Sequence, residues 1–373
     1  MTEKILVTGG AGFIGSHTVN ALIERGSQVR VYDNLNPKVH GQDASKPEFL
    51  HADAEFFQGD IRDRSQLKKA LEGVKQVIHL AAEVGSVESM YSVDQYISTN
   101  VQGTGVLWDI LVKDRHQVEK VFVASSMSVY GEGNYFCICH GYLSAQPRSE
   151  EDLESGRWDI LCPDCDWPAE PKPTSEDQEL NATNVYAKTK IDQELYSGMI
   201  GKCYGIPTVI ARYSNCYGPH QALNNPYSRN AGLYLSSIRS NQSPLIYEDG
   251  EQKTDMIHID DLVRGTLLLL DHPKATRGAF NLGSGTPTSA IEVAETLIKL
   301  CLKDLTPLVT HKHINNNTRH CIADISKIRA LGYEPRVGLQ QGLQTLAEWG
   351  TQKYSLSSRE TSHHLMMANN LPH

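Results

Sequence analysis

Lys4-Ile5-Leu6-Val7-Thr8-Gly9-Gly10-Ala11-Gly12-Phe13-Ile14-Gly15 decides the fold. An apolar run of strand length meets a glycine-rich turn, and a helical pattern opens directly behind it, which is the arrangement of a dinucleotide-binding turn. Gly9 permits the tight turn, Gly12 lets the backbone approach a pyrophosphate, and Gly15 allows helix and strand to pack closely. Phe13 and Ile14 open the helix whose N-terminus favours phosphate. Eighteen residues after Gly15, Asp33 ends a second apolar run and is followed by Asn34. A carboxylate there accepts hydrogen bonds from the adenosine ribose hydroxyls and repels a 2′-phosphate, so NAD is expected rather than NADP.

Working outward, Val74 to Leu80 and Glu119 to Ala124 repeat the strand pattern of Lys4 to Thr8 and Gln28 to Tyr32, with helix-length segments between them. This alternation predicts an α/β, Rossmann-type doubly wound parallel sheet. A helix from about Tyr186 to Tyr204 and a strand at Thr208 to Ala211 continue it. Beyond Gly218-Pro219 the pattern loosens, and helices around Ala290 to Cys301 and Leu339 to Gly350 suit a smaller C-terminal α+β lobe. The expected organisation is a dinucleotide-binding domain at 1–134 and 172–220, a Cys-rich insertion at 135–171, a lobe at 221–354 that mainly binds substrate, and a disordered His-rich tail at 355–373. Asp60-Ile61 and His79-Leu80-Ala81-Ala82 end strands on the edge where the cofactor should lie. Asn100, inside a helical pattern, is either another cofactor contact or a helix-bending structural residue.

The 373 residues, 40 % hydrophobic and 21 % charged, contain no apolar run long enough to cross a bilayer. The Met1 end shows no secretory leader, which predicts a cytoplasmic protein. A net charge of −9 argues against nucleic acid or anionic membrane as a partner. Eight cysteines under these conditions point to reduced thiols or metal ligands.

Tyr186-Ala187-Lys188-Thr189-Lys190 places a phenol and an amine four residues apart, on one face of a helix. A tyrosine titrates near about 10, and a neighbouring ammonium together with a positive nicotinamide ring should pull it toward neutrality, making a general base. Lys190 is also placed to bond the nicotinamide ribose. Ser126 follows the apolar run Val121-Phe122-Val123-Ala124, on the edge where ligands of open α/β sheets gather, and would orient the hydroxyl that Tyr186 deprotonates. Ser125 is the competing candidate.

The glycine turn, Ser126 with Val129-Tyr130-Gly131, the Tyr186/Lys190 pair and Arg212-Tyr213-Ser214-Asn215-Cys216-Tyr217-Gly218-Pro219 together resemble the extended short-chain dehydrogenase/reductase family, in its sugar-nucleotide epimerase/dehydratase branch. The resemblance covers roughly residues 1 to 350 apart from the insertion. It implies two lobes, tightly held NAD, a nucleotide-diphosphate sugar substrate and a homodimer built from two helices per subunit. Asn215 matches a substrate contact near the pyrophosphate.

Dehydratases of the branch carry an Asp-Glu pair after the catalytic hydroxyl residue, and its decarboxylases a glutamate at the position of Ser128; here the residues are Met127 and Ser128. Epimerisation through a transient ketone is then the expected reaction. The stretch Gln221 to Tyr227, the insertion and Arg319-His320-Cys321 resemble dTDP-L-rhamnose 4-epimerases more closely than UDP-galactose 4-epimerases. A UDP-sugar 4-epimerase and a nucleotide keto-sugar reductase or dehydratase are the rival enzymes, and a non-catalytic dinucleotide-binding protein the rival outside catalysis. Two positions depart from the pattern. Thr254, beside Lys253, stands where an arginine should precede Asp255, and Asn316-Asn317 replaces a Gly-Asp. Phosphate binding is therefore expected to rest on Arg319 and Lys253.

Between Gly131 and Tyr186 lie 54 residues. Cys137 with His140, and Cys162 with Cys165, are spaced as in zinc knuckles, and four such ligands would saturate a structural zinc ion. Cys139 could replace His140. Such an ion would give a polar insertion without a core a reason to fold, and the insertion is expected to form part of a lid over the sugar.

Overall fold

The computed structural model describes residues 3–41, 45–143, 145–223, 231–315 and 317–354. The predicted tail, Asn224 to Tyr227 and Asn316 lie outside them. Its strands are β1 (Lys4–Thr8), β2 (Gln28–Asp33), β3 (Glu55–Gln58), β4 (Gln76–His79), β5 (Lys120–Ser126), β6 (Asn134–Cys137), β7 (Gly141–Leu143), β8 (Glu170–Thr174), β9 (Thr208–Tyr213), β10 (Asn215–Tyr217), β11 (Leu245–Ile246), β12 (Lys253–His258), β13 (Arg277–Leu282), β14 (Pro287–Ser289), β15 (Leu308–Val309) and β16 (Ile322–Ala323). Seven of them form the main sheet in the order β13-β9-β5-β4-β1-β2-β3. Every pairing in it is parallel.

Period-two alternation explains why the central strands read as continuous apolar runs, because both of their faces are buried. Ile5 and Val7 join the core on one face and Leu6 the core on the other; Phe122 and Ala124 oppose Val121 and Val123 in the same way. The helices Phe13–Glu24 and Ile259–Asp271 cover the first face. Arg64–Ala70 and Gly103–Lys113 cover the second. The strand order reverses between β1 and β4, and the crevice beyond their C-terminal ends is where such sheets bind ligand.

The chain returns to this sheet after residue 220: β13 and the helix Ile259–Asp271 belong to its layer. A third core, with Tyr217, Leu235, Val293, Leu297, Leu343 and Leu346, supports the C-terminal lobe. Small sheets β10-β12-β14 and β11-β15 complete that lobe.

The insertion was read as lacking a core, and the structure corrects this. It folds as β6, β7 and β8, joined to β16 in the order β16-β8-β6-β7, around a small cluster of Tyr135, Ile160 and Ala169. Among the described residues no helix is long and apolar enough to cross a membrane.

Candidate active site

Gly9 adopts φ +69°, and a Cβ there would lie 2.8 Å from the Ala81 nitrogen. A Cβ on Gly15 would lie 2.0 Å from the Gly9 carbonyl oxygen. Both glycines are therefore required by the fold. Gly12 is different. Its φ is −70°, and a Cβ would meet nothing within 4 Å except the Gly9 oxygen at 3.4 Å. It caps the Phe13–Glu24 helix without a side-chain hydrogen bond. An alanine would fit the protein itself but would fill the cradle at the helix N-terminus, so the turn suits a closely approaching diphosphate. Gly12→Ala is expected to leave thermal stability within a few degrees of wild type and to weaken NAD binding at least about tenfold, measured by calorimetric titration after stripping the protein. Unchanged affinity would count against this reading of the turn.

Asp33 stands beside the turn at the end of β2; one carboxylate oxygen accepts the Ala11 N–H at 3.0 Å, the other the Leu35 N–H at 2.9 Å. Asp60 is held in a fork by Arg62, and its carboxyl is kept below the usual carboxylate range chiefly by that hydrogen bond, with help from Asn34. Ile61 packs in the core against Gly103. The Leu80 and Ala81 N–H groups donate to Thr8, at its carbonyl and its hydroxyl, drawing the Leu80-Ala81-Ala82 segment against the glycine turn. Asn100 is fully buried in a π-helical turn, Ile97–Gln102. Its Oδ1 accepts the Glu83 N–H, and its two amide protons go to the Glu83 carbonyl and the Thr189 hydroxyl. Asn100 thereby ties the cofactor-side loop to the helix Val185–Cys203.

That helix is capped by Asn184, whose Oδ1 accepts the Ala187 N–H at 2.9 Å. It carries Tyr186 and Lys190 toward the end of β5, where Ser126 is near enough to the Tyr186 phenol to draw its pKa down. Ser128 donates to the Ser126 oxygen from its hydroxyl at 2.9 Å and its N–H at 3.2 Å. Ser125 is buried with no partner for its hydroxyl, so of the two serines it is Ser126 that reaches the tyrosine. The Lys190 ammonium lies 3.0 Å from the Ala124 carbonyl and 6.0 Å from the centre of the Tyr186 ring.

The protein's own groups do not move Tyr186 in the expected direction. Desolvation pushes its phenol up to about 12, against the pull of Ser126. Desolvation also pulls Lys190 down to about 8, against the pull of Glu194. A positive ring bound alongside Tyr186 would act in the opposite direction to desolvation and lower its pKa.

Asn215 is exposed on β10, just beyond the sheet edge that carries Ser126. Arg319 is not available to a phosphate. It is 2 % exposed, and its guanidinium donates to Asp159, Glu248 and Asp249. In such an enclosure the charge is already matched, and removing it from its carboxylates would leave buried ions unpaired. Asp255 likewise faces inward, capping the Ser284 and Gly285 N–H groups.

The sequence reading passed over His79. Its ring bridges the hydroxyls of Thr8 at 2.8 Å and Thr104 at 2.9 Å, while burial and then the Lys190 charge push its pKa down to about 3. It is thus a neutral bridge between the glycine turn and the next layer. The quoted His79-Leu80-Ala81-Ala82 contained the signal, but a histidine ending a buried strand has many possible roles.

In the insertion, Cys137, His140, Cys162 and Cys165 converge with all ligand atoms within 4.8 Å of one another. The Cys137 sulfur is 3.7 Å from both His140 Nδ1 and the Cys165 sulfur, and the Cys162 sulfur is 3.3 Å from His140 Nδ1. Cys139 is exposed, and its tie to the cluster is a backbone N–H donated to the Cys137 sulfur. His140 is therefore the fourth member.

A family model described as "NAD dependent epimerase/dehydratase family" matches residues 5–157 and 164–283. The chain is 33 % identical over 358 residues to a dTDP-L-rhamnose 4-epimerase of Burkholderia thailandensis, covering 94 % of this chain and 96 % of that one. It is 29 % identical to a putative UDP-glucose 4-epimerase of Methanocaldococcus jannaschii, with 92 % and 97 % covered. Its structure resembles the UDP-glucuronic acid 4-epimerase of Bacillus cereus, solved with UDP-glucuronic acid and NAD, at a TM-score of 0.77 and 27 % identity, with 94 % and 100 % covered.

Proposed function

Because the chain belongs to the NAD dependent epimerase/dehydratase family, we propose that it is a nucleotide-sugar 4-epimerase acting on dTDP-L-rhamnose or a related dTDP-sugar through a transient 4-keto sugar. The observation that carries this reading is the Ser126–Tyr186–Lys190 group with Met127 and Ser128 beside it, a proton-transfer set without the neighbouring acid that elimination would use. The 33 % identity to the Burkholderia thailandensis enzyme supports the choice of sugar.

Bound NAD supplies a hydride acceptor and a positive ring charge. Tyr186 removes the proton of the sugar hydroxyl, and Ser126 orients that hydroxyl. Lys190, anchored to the Ala124 carbonyl, keeps positive charge near the phenol as it ionises. The keto-sugar then presents its other face, and Tyr186 returns the proton as hydride returns to carbon. Asn215 is placed to meet the nucleotide end. Arg319 is left out of the substrate contacts for the reason given above.

Cys137, His140, Cys162 and Cys165 hold a structural zinc ion in this reading. Zinc–sulfur and zinc–nitrogen bonds of about 2.3 and 2.0 Å imply tetrahedral edges of roughly 3.5 to 3.8 Å, close to the separations present. Reduced thiolates are what the cytoplasm maintains, and we place the protein there. It works as a homodimer: Val93, Ile97, Leu195, Tyr196 and Met199 form an exposed apolar surface on two packed helical segments.

Purified protein incubated with dTDP-L-rhamnose and no added cofactor is expected to yield the C4 epimer by NMR, while UDP-galactose is turned over more slowly. Inversion of the UDP-sugar in preference would overturn the substrate assignment.

A further inference from the structure

We propose that the metal-bearing insertion is a positioning device for the catalytic loop and that Glu132 transmits its effect; this rests on the zinc and epimerase readings. Ser126 leads through the short helical turn Met127–Tyr130 to Gly131, whose φ is +64°. A Cβ at Gly131 would lie 2.2 Å from the Asn181 carbonyl oxygen, and Asn181 donates its N–H to the Val129 carbonyl. This loop therefore touches the segment that enters the Tyr186 helix. A polar cleft of about 190 Å³, bordered by Glu132, Gln146, Gln178 and Asn181, places the insertion along the same segment.

Glu132 is the junction. It is 5 % exposed, and its carboxylate accepts the Arg319 and His320 N–H groups and the Tyr135 hydroxyl at 2.9 Å. Tyr135 lies on β6, two residues before Cys137, so one half of the metal cluster reaches Glu132 through that strand. The other half reaches it by a second route. Asp159, three residues before Cys162, accepts from the Arg319 side chain at 3.0 Å, and Arg148 holds the Trp158 carbonyl at 3.1 Å. Arg148 and Arg319 both pair with the buried Glu248 of the C-terminal lobe. The turn is also stitched down by Thr318 donating to the Gly131 carbonyl and Gly133 donating to the His320 carbonyl. A metal ion fixes both ends of this lattice, and without one Glu132 loses the fixed geometry of its donors.

The test compares wild type with Glu132→Gln, an isosteric change that turns one acceptor oxygen into a donor facing those groups. Each is studied with zinc and after chelation, by metal content, amide hydrogen exchange and kinetics. The expected protein holds one zinc per chain. Chelation speeds exchange at residues 131–135 and 319–320 at least about tenfold and lowers kcat by about 10- to 100-fold, with bound NAD retained. Glu132→Gln keeps zinc, shows the same fast exchange, and loses little further activity on chelation. Absence of zinc from the wild type overturns the inference together with the metal reading. Zinc loss that leaves exchange at 131–135 unchanged, or effects of the two changes that multiply independently, overturns the inference alone. If no sugar is turned over, the exchange comparison still decides it.

Discussion

Replacing Tyr186 by Phe is expected to lower kcat by about 10³-fold, within the range usual for loss of a positioned general base, or about 4 kcal/mol of transition-state stabilisation. The change deletes one hydroxyl and leaves the ring against Tyr96, whose centre lies 6.4 Å away. NAD content and thermal stability should therefore stay near wild type. KM should change little, because the group acts on a proton in flight rather than on the resting substrate. The steepness of the loss follows from the surroundings. Ser126 lies beside the phenol but, as a hydroxyl of ordinary basicity, cannot take its place, and Lys190 is tethered to the Ala124 carbonyl. Steady-state kinetics of the variant on its best sugar give the number, and a wild-type rate would remove Tyr186 from the reaction.

Glu194→Ala is expected to cost about 3 to 5 kcal/mol of folding stability, read by urea unfolding. Glu194 and Arg212 form a buried forked pair, with contacts of 2.8 to 3.2 Å, on the catalytic helix and β9. Arg212 also donates to the Tyr130 hydroxyl at 2.7 Å, and Tyr130 donates to Asn281 at 2.7 Å. Removing the carboxylate leaves a guanidinium in a site with little water, which is the costly way to break such a pair. Replacing both members by apolar side chains of similar size should cost much less. If Glu194→Ala and that double variant unfold at the same urea concentration, the pair does not hold the helix to the sheet as described.

The central sheet was legible because its strands are buried on both faces. Ile5-Leu6-Val7 and Val121-Phe122-Val123 need apolar side chains at every position, which stands out against the flanking turns. The edge strands were missed for the complementary reason. β3 reads Glu55-Phe56-Phe57-Gln58 and is at most half-buried, while β13 starts with exposed Arg277-Gly278. β8 was hidden by Pro171 and Pro173, which argue against a paired strand yet lie between β6 and β16 here.

The catalytic group could be read because a tyrosine and a lysine one helical turn apart remain neighbours whatever the rest of the chain does. Arg319 shows the limit. Its carboxylate partners Asp159, Glu248 and Asp249 are 70 to 160 residues away in sequence, so a cation that looked free for phosphate is enclosed by the fold. The four metal-type ligands were visible from spacing, whereas the choice of His140 over Cys139 needed the hairpin of β6 and β7, which brings the His140 ring rather than the Cys139 sulfur onto the cluster.

The central claim, inversion at C4 through a ketone, is tested most directly with dTDP-L-rhamnose deuterated at C4, incubated with the purified protein in ordinary water. The account predicts that both epimers retain the deuterium at C4, because the hydrogen that leaves that carbon is the one that returns. Loss of the label to solvent, or inversion that moves the label to another carbon, would contradict it.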